Sequence, residues 1–155
     1  MKTKDAIKTG PLWLISASYF FVSLLNVFIS DFNKPFGQQY IKDDIFFGTV
    51  ASVTSIFNGS ARIVWGFMYD KFGFQYCLVI ISCVCTMISF SLGNLSFIGY
   101  YSSEDSAKAF YVIWMCTFYA FMPGAYGNYP AATGRAYGPK YCNNNYGLIL
   151  VTGVI

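Results

Sequence analysis

The chain reads as all-α, a polytopic transmembrane helical bundle, and three observations predict it. Charged residues make up 11% of 155 while hydrophobic residues reach 55% and aromatics 21%, against roughly 25% charged in soluble domains. Charge-free runs recur at 11–30, 45–61, 72–103 and 109–134, and about 20 apolar residues suffice to span a bilayer. Short polar segments separate these runs, with no soluble domain, low-complexity tract or long linker between them.

The first span, 11–30, begins at Pro11, whose missing amide donor does no harm in a first helical turn, and is expected to end before Asp31-Phe-Asn-Lys-Pro35. The residues ahead of it are basic, but the apolar run is long and no small-residue cleavage site follows, so it reads as a retained helix and not a signal peptide. The second span, 45–69, is treated below. The third, 76–98, is rich in Ile, Val, Cys, Ser and Leu and carries no charge, the composition of a packing or lipid-facing helix. A polar loop at 100–108 leads to the fourth, 109–133.

That fourth span holds Pro123, Gly124, Gly127 and Pro130. A proline inside a helix removes one backbone hydrogen bond and kinks or breaks it, and Tyr126, Asn128 and Tyr129 sit at the expected irregularity. Broken helices in transporters expose polar groups to a substrate cavity; a proline kink that serves only packing is the competing reading. A fifth span, 143–155, is too short to cross about 30 Å of hydrocarbon at 1.5 Å per residue and reads as a helix cut short.

Orientation follows lysine and arginine near the helix ends. Lys2, Lys4, Lys8, Lys71, Arg135 and Lys140 fall on one side of the predicted bundle, and Lys34, Lys42 and Lys108 on the other. Six against three puts the N-terminus in the cytoplasm. The net charge of +3 includes no basic stripe, so nucleic acid is not an expected partner. Five cysteines, most of them in or beside spans, give no disulfide framework. With no histidine, neither a metal cluster nor a cofactor is expected.

Most of the functional information lies in 58–73. Arg62 is a charge inside an apolar span, which costs roughly 2.5 to 3.5 kcal/mol on insertion scales and persists where it faces a cavity, partner or substrate path. At 100° per residue, Ala51, Ser55, Asn58, Gly59, Gly66 and Tyr69 lie within about 60° of Arg62, a small and polar face. Val50, Val53, Ile56, Phe57, Val64, Phe67 and Met68 dominate the other side. Arg62 sits roughly 8 Å from the span centre, so snorkelling to the interface competes with a cavity-facing role. Its planar fork suits a carboxylate. Asp70 opposes the negative end of its helix dipole and calls for a partner: the N-terminus of a neighbouring helix, or Lys71 and bases beyond it. An inert solvated acid is the alternative. Gly73 permits a tight turn.

Gly66-Phe-Met-Tyr-Asp-Lys-Phe-Gly73 resembles the loop signature of the major facilitator superfamily, Gly-x-x-x-Asp-Arg/Lys-x-Gly. With Asn58-Gly-Ser-Ala-Arg-Ile-Val-Trp-Gly66, Gly124-Ala-Tyr-Gly-Asn-Tyr-Pro-Ala-Ala-Thr133, Tyr137-Gly-Pro-Lys140, Asn145-Tyr-Gly-Leu148 and Lys8-Thr-Gly-Pro-Leu-Trp13, the order is similar to the C-terminal half of oxalate/formate antiporter-like proteins, relatives of the monocarboxylate transporters. The resemblance covers nearly the whole chain and implies a partial major facilitator fold, about helices seven to eleven of twelve. It implies alternating-access transport of a small organic anion, with a coupled proton or an exchanged anion. The candidate substrate-binding residues are Arg62, Asn58, Tyr126 and Asn128, and the gate motif is Gly66, Asp70, Lys71 and Gly73. Phe74, Gln75 and Tyr76 stand where family gate loops carry further bases. Gly153 stands near the position of a second positive charge in the oxalate carrier. The first departure implies a weaker latch; the second counts against a dicarboxylate and favours a monocarboxylate or an unrelated solute.

Besides the bilayer, a complete path then requires the missing N-terminal half or a second copy. A non-transporting truncated membrane protein, or a half-transporter subunit acting through a partner chain, is the alternative. An enzyme is not expected, because no nucleophile with a positioned base and no metal-ligand set is present.

Overall fold

Each long helix starts where the sequence supplies a start. Pro11 occupies the first turn of the first long helix. Asp43 caps the second, its carboxylate accepting the Phe46 amide at 3.0 Å, and Ser103 caps the fourth by accepting the Ser106 amide at 3.4 Å; such caps satisfy amides that have no partner inside the helix. The computed structural model describes residues 2–101 and 103–153, without the side chains of residues 93 and 95–101. Its elements are α1 (Thr3–Ala6), α2 (Gly10–Gly37), α3 (Asp44–Phe72), α4 (Phe74–Tyr101), α5 (Glu104–Tyr137), a 3-10 turn (Pro139–Tyr141) and α6 (Cys142–Thr152). The described chain is all helical, as the sequence predicts, and the last two residues of the fifth expected span lie outside the described residues.

Two boundaries differ from expectation. The first span does not stop before Asp31; α2 runs through Pro35 to Gly37. Pro35 withholds the amide that would meet the Asp31 carbonyl, at an exposed position of the helix, and one turn earlier Asn33 Nδ2 bonds the carbonyls of Ile29 and Ser30 at 2.9 and 2.7 Å. Gly37 lies so close to α3 and α5 that a Cβ there would be 2.7 Å from the Phe47 ring and 2.9 Å from the Tyr111 ring. Tertiary contact holds the extra turns in place. Likewise α5 is not broken: it continues through Pro123 and Pro130.

α5 is the hub, touching α2, α3, α4 and α6. The Trp65 indole of α3 lies over Gly124 and donates to the Ala120 carbonyl at 2.9 Å. From α5 itself, Trp114 donates to the Ile88 carbonyl of α4 at 2.6 Å, and Tyr111 donates to Asn33 Oδ1 of α2 at 3.1 Å. On α4 the buried residues are Cys77, Ile81, Cys85 and Ile88, one helical stripe, while Val79, Met87 and Phe90 point outward. Large apolar side chains also clothe the outside of α2 (Leu14, Phe21, Leu24, Phe28) and α3 (Ile56, Ile63, Phe67), an exterior unlike that of soluble monomers.

Gly10–Gly37 and Phe74–Leu92, each with mean hydropathy 1.9, are long and apolar enough to cross a membrane. α3 and α5, also expected to span, are of similar length, but their polar, small and charged residues dilute the apolar run.

At the end of the bundle away from the N-terminus, Lys108 of α5 reaches Asp43 at 3.1 Å and Glu104 at 3.4 Å, clamping the α2–α3 connection to the start of α5. The Phe46 amide first, then Lys108, hold the Asp43 carboxyl below its ordinary value, and Asp43 in turn raises Lys108.

Two stability predictions follow from this packing. Gly124→Ala should destabilise the protein by about 1 to 3 kcal/mol through overpacking against Trp65. Gly66→Ala, with nothing within 4 Å of its new Cβ, should be neutral or slightly stabilising through helix propensity; denaturant melts of the two variants in micelles check this. For the clamp, Asp43 contributes stability above the ordinary carboxylate pKa and loses it as pH falls through the lowered value. The Lys108 contribution is complete below the ordinary lysine pKa and lost as pH rises through the raised value. Tm should therefore fall on acidification through the carboxylate range, and Asp43→Asn, which keeps a capping oxygen, should flatten that fall.

Candidate functional site

The buried stripe of α3 runs Phe47, Val50, Thr54, Ala61, Trp65 and Tyr69, the side that meets α5. Arg62 is about 60° round the helix from Trp65 at 100° per residue in the opposite sense to Ala61, and it is exposed. The sequence places Tyr69 on the Arg62 face, about 20° from it, yet Tyr69 is buried with the Arg135 guanidinium over its ring, while Arg62 stays exposed at the edge of the buried stripe. Arg62 Nε donates to Asn58 Oδ1, one turn earlier, at 3.3 Å. Among the described residues no ion pair involves Arg62, so its terminal nitrogens face outward without a carboxylate.

Asn58 also lines a cavity of about 350 Å³ between α2, α3 and α5, together with Asn33, Lys34, Ser55, Thr54, Tyr111 and Tyr119. Thr54 and Ser55 spend their hydroxyl protons on backbone carbonyls of their own helix. Asn58 turns its oxygen to Arg62, which leaves its amide nitrogen as a donor. Gly59 and Gly66 leave open space in front of the same stripe, with nothing within 4 Å of a Cβ at either.

Tyr126 and Asn128 do not join this cavity. Tyr126 is half-buried and meets Tyr19 of α2 edge-on at 5.7 Å. Asn128 is 4% exposed, and its Nδ2 is buried without a hydrogen-bond partner. Tyr129, between them in register, donates to Ser18 Oγ at 3.2 Å and packs on Tyr19 and Phe74. The structure thus groups Arg62 with Asn58, and separates that pair from an aromatic cluster at the α2–α5 contact.

The gate stretch forms the sharp link from α3 to α4. Gly73 adopts φ 84°, the left-handed region open to glycine, and α4 starts one residue later. Of the partners the sequence offered, a helix N-terminus or Lys71 and bases beyond it, Asp70 takes neither the N-terminus nor Lys71 but a base further along the chain, Arg135 of the last turn of α5, at 2.8 Å. Lys71 lies over the Phe72 ring at 5.3 Å. Arg135 is stacked on Tyr69 at 4.5 Å while it pairs with Asp70, so the ends of α3 and α5 are joined twice by one side chain. The sequence offers Arg135 only as a topology charge; its place in the final turn of a helix that runs parallel to α3, start beside start and end beside end, is the available signal. Both partners are more than half exposed, and a double-mutant cycle of Asp70→Asn with Arg135→Gln should return a coupling of about 0.2 to 1 kcal/mol.

No protein-family model and no solved structure matches the chain. It is 20% identical over 143 residues to an oxalate:formate antiporter of Oxalobacter formigenes, covering 92% of this chain and 32% of that protein. It is 22% identical over 154 residues to apicoplast pyruvate carrier 1 of Toxoplasma gondii, covering 96% of this chain and 27% of that one. The chain therefore spans about a third of the length of these relatives or less. Neither relative is named as an enzyme. Two helices long and apolar enough to cross a membrane, and similarity to two proteins named as an antiporter and a carrier, mark this as a membrane protein.

Proposed function

We propose that the chain forms part of a multi-pass major facilitator transporter that moves a small organic anion, a monocarboxylate, by alternating access, with its N-terminus in the cytoplasm. The observation that carries this reading is Arg62: a guanidinium oriented through Nε by Asn58, unpaired with any carboxylate among the described residues, and set on a stripe of small residues open at Gly59 and Gly66. Such a fork offers a carboxylate two parallel charge-assisted bonds, and a charge within an expected span that has no fixed partner is a candidate functional site.

Two further observations support the details. A side chain at Gly153 would run into Tyr19 and Ser23, so a second cation has no room there, which favours one carboxylate over two. The Asp70–Arg135 pair is exposed on both sides and so costs little to break, as a gate that must open repeatedly requires. Because the Arg62 stripe looks out of this bundle, the opposite wall of the path comes from another helical half, an N-terminal one or a second copy.

The test is uptake of a labelled monocarboxylate by proteoliposomes carrying the protein. Arg62→Gln should lower uptake by at least about tenfold, the loss of a charge-assisted pair worth roughly 1.5 to 3 kcal/mol, with membrane insertion unchanged because the side chain is exposed. Arg62→Lys should recover part of it. Wild-type uptake by Arg62→Gln would sink the carboxylate role.

A further inference from the structure

The two ends of the bundle differ in charge. At the N-terminal end, Lys2, Lys4, Lys8, Lys71, Arg135 and Lys140 face two acids, Asp5 and Asp70, whereas the far end has Lys34, Lys42 and Lys108 against Asp31, Asp43, Asp44, Glu104 and Asp105. Arg135 is already neutralised by Asp70. The remaining excess gathers where α1 meets α6. Ala6 is fully buried and α1 touches α6, while Thr9 Oγ1 and the Tyr137 hydroxyl are hydrogen-bonded at 3.0 Å. That bond ties the N-terminal segment to the end of α5, beside the turn that carries Lys140. The result is a corner presenting Lys4, Lys8 and Lys140, all exposed and, among the described residues, in no ion pair.

Directly below this corner is Trp13, 59% exposed, its indole nitrogen donating to the Ile7 carbonyl at 2.9 Å. Leu14 beside it is also exposed. A tryptophan with its polar edge turned toward the charged end and its ring toward the apolar face is placed as at a membrane interface. Lys140 leans over the Tyr141 ring at 5.8 Å.

We infer that this corner is a docking site for an anionic phospholipid headgroup, its phosphate taken by Lys4, Lys8 and Lys140 and its upper acyl chain lying along Trp13 and Leu14. The chemistry that recognises the ligand is a phosphate next to hydrocarbon, and the two requirements meet only in a lipid. A free phosphate would use the lysines alone. Each lysine near an anionic surface contributes about a fivefold gain in binding.

The experiment is native mass spectrometry of the protein released from equimolar phosphatidylcholine and phosphatidylglycerol bilayers, counting retained lipid of each kind. The expected result is selective retention of phosphatidylglycerol, reduced at least about tenfold in Lys8→Gln/Lys140→Gln and unchanged in Lys34→Gln/Lys42→Gln, which removes the same charge from the other end. Trp13→Ala should also weaken retention. Equal loss in both double variants would reduce the effect to bulk charge and overturn the site, as would equal retention of both lipids. Displacement of phosphatidylglycerol by millimolar inorganic phosphate would show an anion site without a lipid requirement, and would overturn it too. Circular dichroism of each variant separates these outcomes from misfolding.

Discussion

The joint between Trp65 and Gly124 sets the geometry on which everything else depends. A flat indole can lie directly on α5 only because position 124 has no side chain, and the indole proton then reaches the Ala120 carbonyl. That contact fixes the rotation of α3. Once Trp65 faces α5, Ala61 and Tyr69 must follow it inward, Arg62 is carried to the open flank, and Asp70 emerges beside the last turn of α5. Trp114 does the same for α4 through the Ile88 carbonyl. Inside a bilayer no hydrophobic force separates protein from lipid, so close approach at small residues and interhelical hydrogen bonds must do the assembling. Such bonds average only about 0.6 kcal/mol in membranes; they choose register more than they add stability.

Two electrostatic arrangements sit at opposite ends of the bundle and differ in kind. The far-end clamp shares one ammonium between Asp43 and Glu104, with Asp43 also capping α3, so backbone and side chain cooperate and breaking one bond leaves the others. The Asp70–Arg135 contact has no such backing beyond the face of Tyr69. Of the two ends, the second opens more cheaply. That asymmetry suits the gate proposed for the second end.

Much of this was legible in the sequence, and the exceptions have physical causes. Helix existence followed from long uncharged runs, the placing of Asn58 and Arg62 on one face from their spacing of four, and the α3–α4 turn from Gly73. Local rules failed where tertiary contact outweighed them. Pro35 reads as a stop, but Gly37 packs against Phe47 and Tyr111, and the Asp31 carbonyl that the proline frees lies at an exposed position. Pro123 and Pro130 read as a break, but α5 is surrounded by four helices and has nowhere to bend open. Arg135 went unassigned because pairing between residues 65 apart depends on helix order and rotation, neither of which is written in local pattern.

Glycine shows the same limit most sharply, and it bears on function. Gly124 and Gly66 both lie in long helices near Trp65, and sequence alone gives them the same meaning, a place where something comes close. At Gly124 the neighbour is Trp65, and the space is filled. At Gly66, as at Gly59, there is nothing within 4 Å, although a helix gains about 1 kcal/mol by replacing an exposed interior glycine with alanine. Two such glycines on the stripe that presents Arg62 are a standing cost with no return inside this bundle. Under the function proposed above, they leave room for a solute to approach the guanidinium more closely than a Cβ would allow.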